Sequence, residues 1–271
     1  MNESPKPCLD RRETDPCRGG PVCPPEKSCA ENLEKINLEI QTALDLSHRS
    51  PDSLTLIAVS KTQPVQKILE LYDLGIKNFG ENYVQEALPK IQALKDFVSP
   101  LAGETDQRAL GLLGREGVTW HFLGPIQSNK TKLIAENFDW VHSVDTIKTA
   151  QRLSNQRPKD LPKLKLCIQI NINQEPSKSG LTNFQDLRNL AQEILKLPNL
   201  NLMGLMCIPE NNLNKIQDSF SQLKNLLDQL NLNLNLELKT LSMGMSGDFK
   251  EAILEGSTMI RVGTKLFGAR G

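Results

Sequence analysis

From residue 31 onward the apolar positions alternate between two periods. LEKINLEIQTALDL (33–46) spaces them for a helix, whereas LTLIAVSKT (54–62) is a nearly continuous apolar run that reads as a buried strand. PVQKILELYDLG (64–75) returns to the helical period, with Pro at its start and Gly at its end. NFGEN (78–82) then predicts a short strand and YVQEALPKIQALK (83–95) a helix. Six further strands are predicted at VTWHFLGP (118–125), WVHSVD (140–145), KLCIQININ (165–173), LMGLMCIP (202–209), LKTLSMGMS (238–246) and MIRVGTKLFG (259–268). Helical stretches such as NFQDLRNLAQEILKL (183–197) and IQDSFSQLKNLLDQL (216–230) separate them.

Strict strand–helix alternation implies right-handed parallel crossovers. Eight such units at this length predict an α/β protein with a single (β/α)8 TIM-type barrel over residues 31–271. An open doubly wound sheet is the competitor, but no G-x-G-x-x-G follows the first strand. Two stretches break the rhythm. FVSPLAGETDQRALGLLGREGV (97–118) reads as a surface insertion. NLNLNLELK (231–239) alternates Asn with Leu, which suits either a half-buried strand fused with the seventh or a low-complexity run.

Composition narrows the class. Of 271 residues, 38% are hydrophobic, and the formal net charge is zero. No apolar stretch approaches the roughly 18 residues of a membrane span, and no basic stripe suggests nucleic acid. Residues 1–30 hold four of the six cysteines (Cys8, Cys17, Cys23 and Cys29) and few large apolar side chains. They have no apolar core of a secretory signal, and the cysteine gaps are too wide for zinc knuckles, so they read as a disordered tail. Cys167 and Cys207 lie in apolar runs, where a reduced thiol behaves as a small hydrophobe. A cytoplasmic setting fits.

In this fold, function collects where strands end. The predicted ends supply Lys61, Glu81 with Asn82, His121, His142, Asn171 with Asn173, Ser242 through Gly247, and Arg261 through Thr264. Lys61 is either a rim lysine with its head in water or a partly desolvated amine able to form a Schiff base with an aldehyde. SMGMSGDFKEAI (242–253) is a strand, a Gly/Ser turn and a helix, so amides at Ser246 and Gly247 are candidates for an anion site. Gly263 and Thr264 stand at the next strand end, and loops after strands seven and eight are the usual phosphate seat of the fold. An aldehyde-reactive lysine facing a phosphate seat describes pyridoxal 5′-phosphate (PLP). His121 and His142 read as hydrogen-bonded strand-end histidines, with no second ligand spaced for a metal. QSNK (127–130) is expected to open a helix capped by Ser128 or Asn129, with Lys130 facing phosphate or solvent.

AVSKT, FGENYVQE, WHFLGPIQSNK, SKSGL, LSMGMSGDFKEAI and IRVGTKLFG, in that order, resemble the pyridoxal phosphate homeostasis protein family. The family's fold is similar to the alanine racemase N-terminal barrel domain. The resemblance implies a PLP Schiff base on Lys61. It implies phosphate contacts from Ser246, Gly247, Gly263 and Thr264, Arg261 beside the pyridine nitrogen, and Asn82 as a pocket residue. Lys178 would sit in a loop at the mouth. Arg261 could otherwise be an ordinary salt-bridged strand residue.

The expected role is therefore a monomeric carrier that buffers PLP and passes it to apo PLP-dependent enzymes, with no catalytic residue and no metal assigned. The alternative is a PLP-dependent amino-acid racemase, which needs a base on each face of the substrate. Its second base is expected to be missing, because the sequence ends just past the eighth strand and offers only Tyr72 and Tyr83. A lysine-dependent aldolase acting on a sugar phosphate is a further reading, and an interaction scaffold a last one.

Overall fold

Successive side chains on a strand point to opposite faces, so every strand of a closed barrel sorts its residues between an inner column and an outer shell. The computed structural model describes residues 28–98, 117–210 and 215–268. Within them eight parallel strands close in chain order: β1 (Thr55–Val59), β2 (Asn78–Glu81), β3 (Thr119–Phe122), β4 (Trp140–Val144), β5 (Leu164–Ile170), β6 (Leu200–Cys207), β7 (Thr240–Met245) and β8 (Met259–Val262). Closure is made by β8 on β1, with Thr55 opposite Met259 and Ala58 opposite Val262.

The described helices are α1 (Cys29–Leu46), α2 (Val65–Asp73), α3 (Val84–Val98), α4 (Thr131–Asn137), α5 (Ile147–Gln156), α6 (Phe184–Leu195), α7 (Ile216–Leu234), α8 (Phe249–Leu254) and α9 (Thr264–Phe267). Ile57, Leu123, Trp140, Cys167, Met206 and Met259 fill the inside of the barrel. A larger outer core packs Ala58, Phe79, Val141 and Ile260 against helix residues such as Ile68, Ile91 and Phe220. Along β1 this parity sends Ile57, Val59 and then Lys61 inward, and Ala58 and Ser60 outward.

Several boundaries differ from those expected. Ser28 caps α1 by accepting from the Glu31 N–H at 3.2 Å, so the helix begins two residues inside the segment read as tail, with Cys29 buried. Residues 1–27 lie outside those described. The 97–118 insertion begins later than expected, since α3 runs on to Val98. Residues 99–116 also lie outside those described. α4 starts at Thr131 with no side-chain cap, and neither Ser128 nor Asn129 serves. The 231–239 run is not a strand: α7 continues to Leu234 and ends at Asn235, which is left-handed with φ 51°. Leu223, Leu227 and Leu230 carry the helical stripe to its end, and Asn231 then bonds both backbone groups of Leu238. The eighth strand stops at Val262, because α9 begins two residues later.

Candidate functional site

A cavity of about 420 Å³ opens at the C-terminal mouth of the barrel. All seven residues expected there line it: Lys61, Asn82, Ser246, Gly247, Arg261, Gly263 and Thr264. Val59, Leu123, Ile208, Pro209 and Met245 supply apolar wall. The parity that turns Val59 inward carries Lys61 to the cavity on one side, and Arg261 of β8 reaches it from the next strand. Glu81, His121, His142, Asn171, Asn173, Lys130 and Lys178 are not brought to it, nor are Tyr72 and Tyr83.

The rim after β7 and β8 is rich in donors. Ser246 Oγ accepts from the N–H groups of Gly263 (3.2 Å) and Lys265 (3.4 Å), which ties the two loops together. The N–H groups of Ser246, Gly247 and Thr264 make no hydrogen bond among the described residues. A Cβ placed on Gly247 would meet nothing within 4 Å, so the wall here is bare backbone with space before it. One hydroxyl and three uncommitted amides converge, a donor set that fits a phosphate. Asp248 holds the turn by accepting from the Met245 N–H, and burial pushes its carboxyl above the usual range.

Arg261 is buried beneath this rim. Its guanidinium donates to Ser242 Oγ at 2.8 Å and to the Cys207 carbonyl at 2.9 Å. Beyond Ser242 the chain continues down the barrel: Ser242 Oγ to His142 Nδ1 (2.8 Å), His142 Nε2 to His121 Nδ1 (2.9 Å), and His121 Nε2 to Asn78 Oδ1 (3.0 Å). Guanidinium can only donate, so the hydroxyl is left to donate onward to His142. Each imidazole then accepts at Nδ1 and donates at Nε2. Burial holds both neutral, lowering His121 to about 3 and His142 well below its ordinary value. Sequence reading placed these histidines at strand ends. Instead they form a buried column inside the barrel, and the only linear signal was their inward parity.

Two other polar groups act at a distance. Lys178 donates to the Pro209 carbonyl at 3.0 Å and pairs with Glu175 at 2.5 Å. It thereby steadies the loop after β6, whose Ile208 and Pro209 wall the cavity. Asn171 holds the loop after β5, which carries Lys178, by donating to the Glu175 and Lys178 carbonyls. Among the described residues, no cluster of three or more His, Cys, Asp or Glu is arranged to hold a metal ion.

Comparison with known proteins matches residues 38–271 to the alanine racemase N-terminal domain model. The pyridoxal phosphate homeostasis protein of Pseudomonas aeruginosa is 48% identical over 243 residues, covering 89% of this chain and 95% of that one. The protein of the same name from Escherichia coli K12 is 42% identical over 250 residues, covering 89% and 96%. The chain belongs to the pyridoxal phosphate homeostasis protein family. The family resemblance extends to solved structures: PipY of Synechococcus elongatus, determined with PLP bound, is 36% identical with a TM-score of 0.72, over 89% of this chain and all of that one. Alanine racemase of Clostridium difficile shares the fold at 14% identity and a TM-score of 0.61, over 88% of this chain and 57% of that one.

Proposed function

We propose that the protein binds PLP as a Schiff base on Lys61 and acts in intracellular vitamin B6 homeostasis, buffering the aldehyde in the cytoplasm and passing it to apo-enzymes. The observation that carries this reading is a single cavity lined by an amine, by uncommitted phosphate donors and by an arginine. Bound PLP supplies a reactive aldehyde on an electron-withdrawing ring. Lys61 would supply the amine that condenses reversibly with that aldehyde, with loss of one water, which suits storage and release. Ser246, Gly247 and Thr264 would grip the phosphate, Gly263 would line its seat with its N–H committed to Ser246 Oγ, and Asn82 would border the ring. Arg261 offers the ring nitrogen no proton acceptor and stays charged. Beside the ring it would leave that nitrogen unprotonated and the ring a weak electron sink, poorly suited to carbanion chemistry.

Among the described residues, neither tyrosine gives the racemase reading a second base at the cavity. Tyr83 is 59% exposed, and Tyr72 packs against Phe97 beneath the Lys77 ammonium; neither lines the cavity. The named relatives point to homeostasis rather than racemisation. Borohydride reduction of the PLP-loaded protein, followed by peptide mapping, should find the label on Lys61 and nowhere else. A label elsewhere, or none, would sink the proposal. A protein that never turns yellow with PLP would favour the sugar-phosphate aldolase. Incubation with L-alanine in D₂O should leave Cα unlabelled, whereas rapid exchange that vanishes in Lys61→Ala would restore the racemase.

A further inference from the structure

We propose that Lys90 is a positioning residue for Lys61: with Glu81 and Glu86 it grips the backbone on both sides of Lys61 and so aims that amine into the cavity. This rests on Lys61 being the point of covalent attachment. Lys61 points inward while its neighbour Ser60 points outward, under α3, and is fully buried. There Lys90 Nζ, on a residue only 5% exposed, donates to the Ser60 carbonyl at 2.7 Å, to Glu81 Oε1 at 2.8 Å and to Glu86 Oε1 at 2.6 Å. Its three protons are thereby committed.

Glu81 Oε1 also accepts from Ser60 Oγ at 2.6 Å, and Glu86 Oε1 accepts from the Thr62 N–H. The residue before Lys61 and the residue after it are thus held by one cluster. The hold has something to resist, because Thr62 is β-branched yet left-handed, with φ 62°, a conformation such residues avoid. Thr62 Oγ1 donates to the Lys61 carbonyl at 2.6 Å and completes the turn.

Packing alone does not require these groups. Apolar side chains of similar volume would fill the same space without the cost of burying charge. Glu81 Oε2 is buried without a hydrogen-bond partner, a further cost of the arrangement. What an apolar trio could not do is accept from the Thr62 N–H and donate to the Ser60 carbonyl together.

The test compares PLP with pyridoxine 5′-phosphate, which keeps the ring and phosphate but carries an alcohol in place of the aldehyde. In Lys90→Met, PLP affinity and the borohydride-trapped yield on Lys61 should fall by between about tenfold and about a hundredfold, the scale of a small misplacement of a reacting group. Pyridoxine phosphate affinity should stay within about twofold. Equal losses for both ligands, or no loss for either, would overturn the proposal.

Because Lys90→Met leaves the buried Glu81 carboxylate without its cation and could fail to fold, Glu86 supplies a second route, its side chain being 28% exposed. Glu86→Ala should lose PLP selectively, and Glu86→Gln, whose amide oxygen still accepts from Thr62, should recover it. A glutamine variant as impaired as the alanine would refute the grip. If wild-type protein binds both ligands equally and traps nothing on Lys61, the covalent reading itself fails and takes this proposal with it.

Discussion

The Ser242 hydroxyl sits between a guanidinium that can only donate and an imidazole held neutral by burial. Removing it strands a buried donor on one side and a buried acceptor on the other. Ser242→Ala should therefore cost about 1–3 kcal/mol in urea unfolding, with weaker PLP binding as Arg261 loses its anchor. The same column sets a pH dependence. The unfolded chain protonates its histidines near the usual value of about 6.5, but folded His121 resists until about 3, and His142 is depressed in the same direction. Below pH ~6.5 the unfolded state binds more protons, so stability is lost as pH falls through that window, by at most ~1.4 kcal/mol per pH unit for each histidine. Urea midpoints at pH 7 and pH 5 check this; equal values would contradict it. The sequence marked His121 and His142 as hydrogen-bonded strand residues but not as partners in a column. His121 and His142 are 21 positions apart and His142 and Ser242 are 100, and only barrel closure makes them neighbours.

Among the elements, the strands were the most legible, because each is a short apolar run bounded by turn residues. Legibility failed where two periods agree. Leucines at 230, 232, 234 and 236 satisfy a period of two, but Leu230 and Leu234 also satisfy i, i+4, and packing of Leu227 and Leu230 selected the helix. Leu232 is left 85% exposed. Strand ends carry a different constraint, the space left for backbone. A Cβ on Gly124 would fall 2.0 Å from the Asn82 carbonyl oxygen. Gly124→Ala must push the end of β2 aside, and should cost at least ~2 kcal/mol and weaken PLP binding, read by urea denaturation and cofactor titration. Gly247 is the contrast, with nothing near its Cβ position. Gly247→Ala should change stability by less than about 0.5 kcal/mol yet lower PLP affinity, since the added methyl stands where phosphate would approach.

For the whole molecule the closing feature is the seam where β8 meets β1. Arg49, in the connection after α1, crosses it by donating to the carbonyls of Ile253 (3.0 Å), Ser257 (2.8 Å) and Ser53 (3.1 Å). Asn32 of α1 adds a bond to the Leu266 carbonyl at 3.1 Å. Arg49→Ala should cost about 1–3 kcal/mol and raise amide exchange in β8 ahead of the other strands; uniform exchange would argue against a special role for the seam. The barrel could be read from the chain, because local periodicity fixes which residues are strands, whereas the seven cavity residues were picked out from a longer list of strand ends by the family resemblance. What surrounds Lys61 could not be read. Glu81 and Lys90 look like ordinary charged residues until α3 is laid over the end of β2, and the histidines acquire a common hydrogen-bond direction only once Arg261 stands at one end. Pairings of that kind depend on distances between residues remote in sequence, and those distances come into being only when the barrel closes.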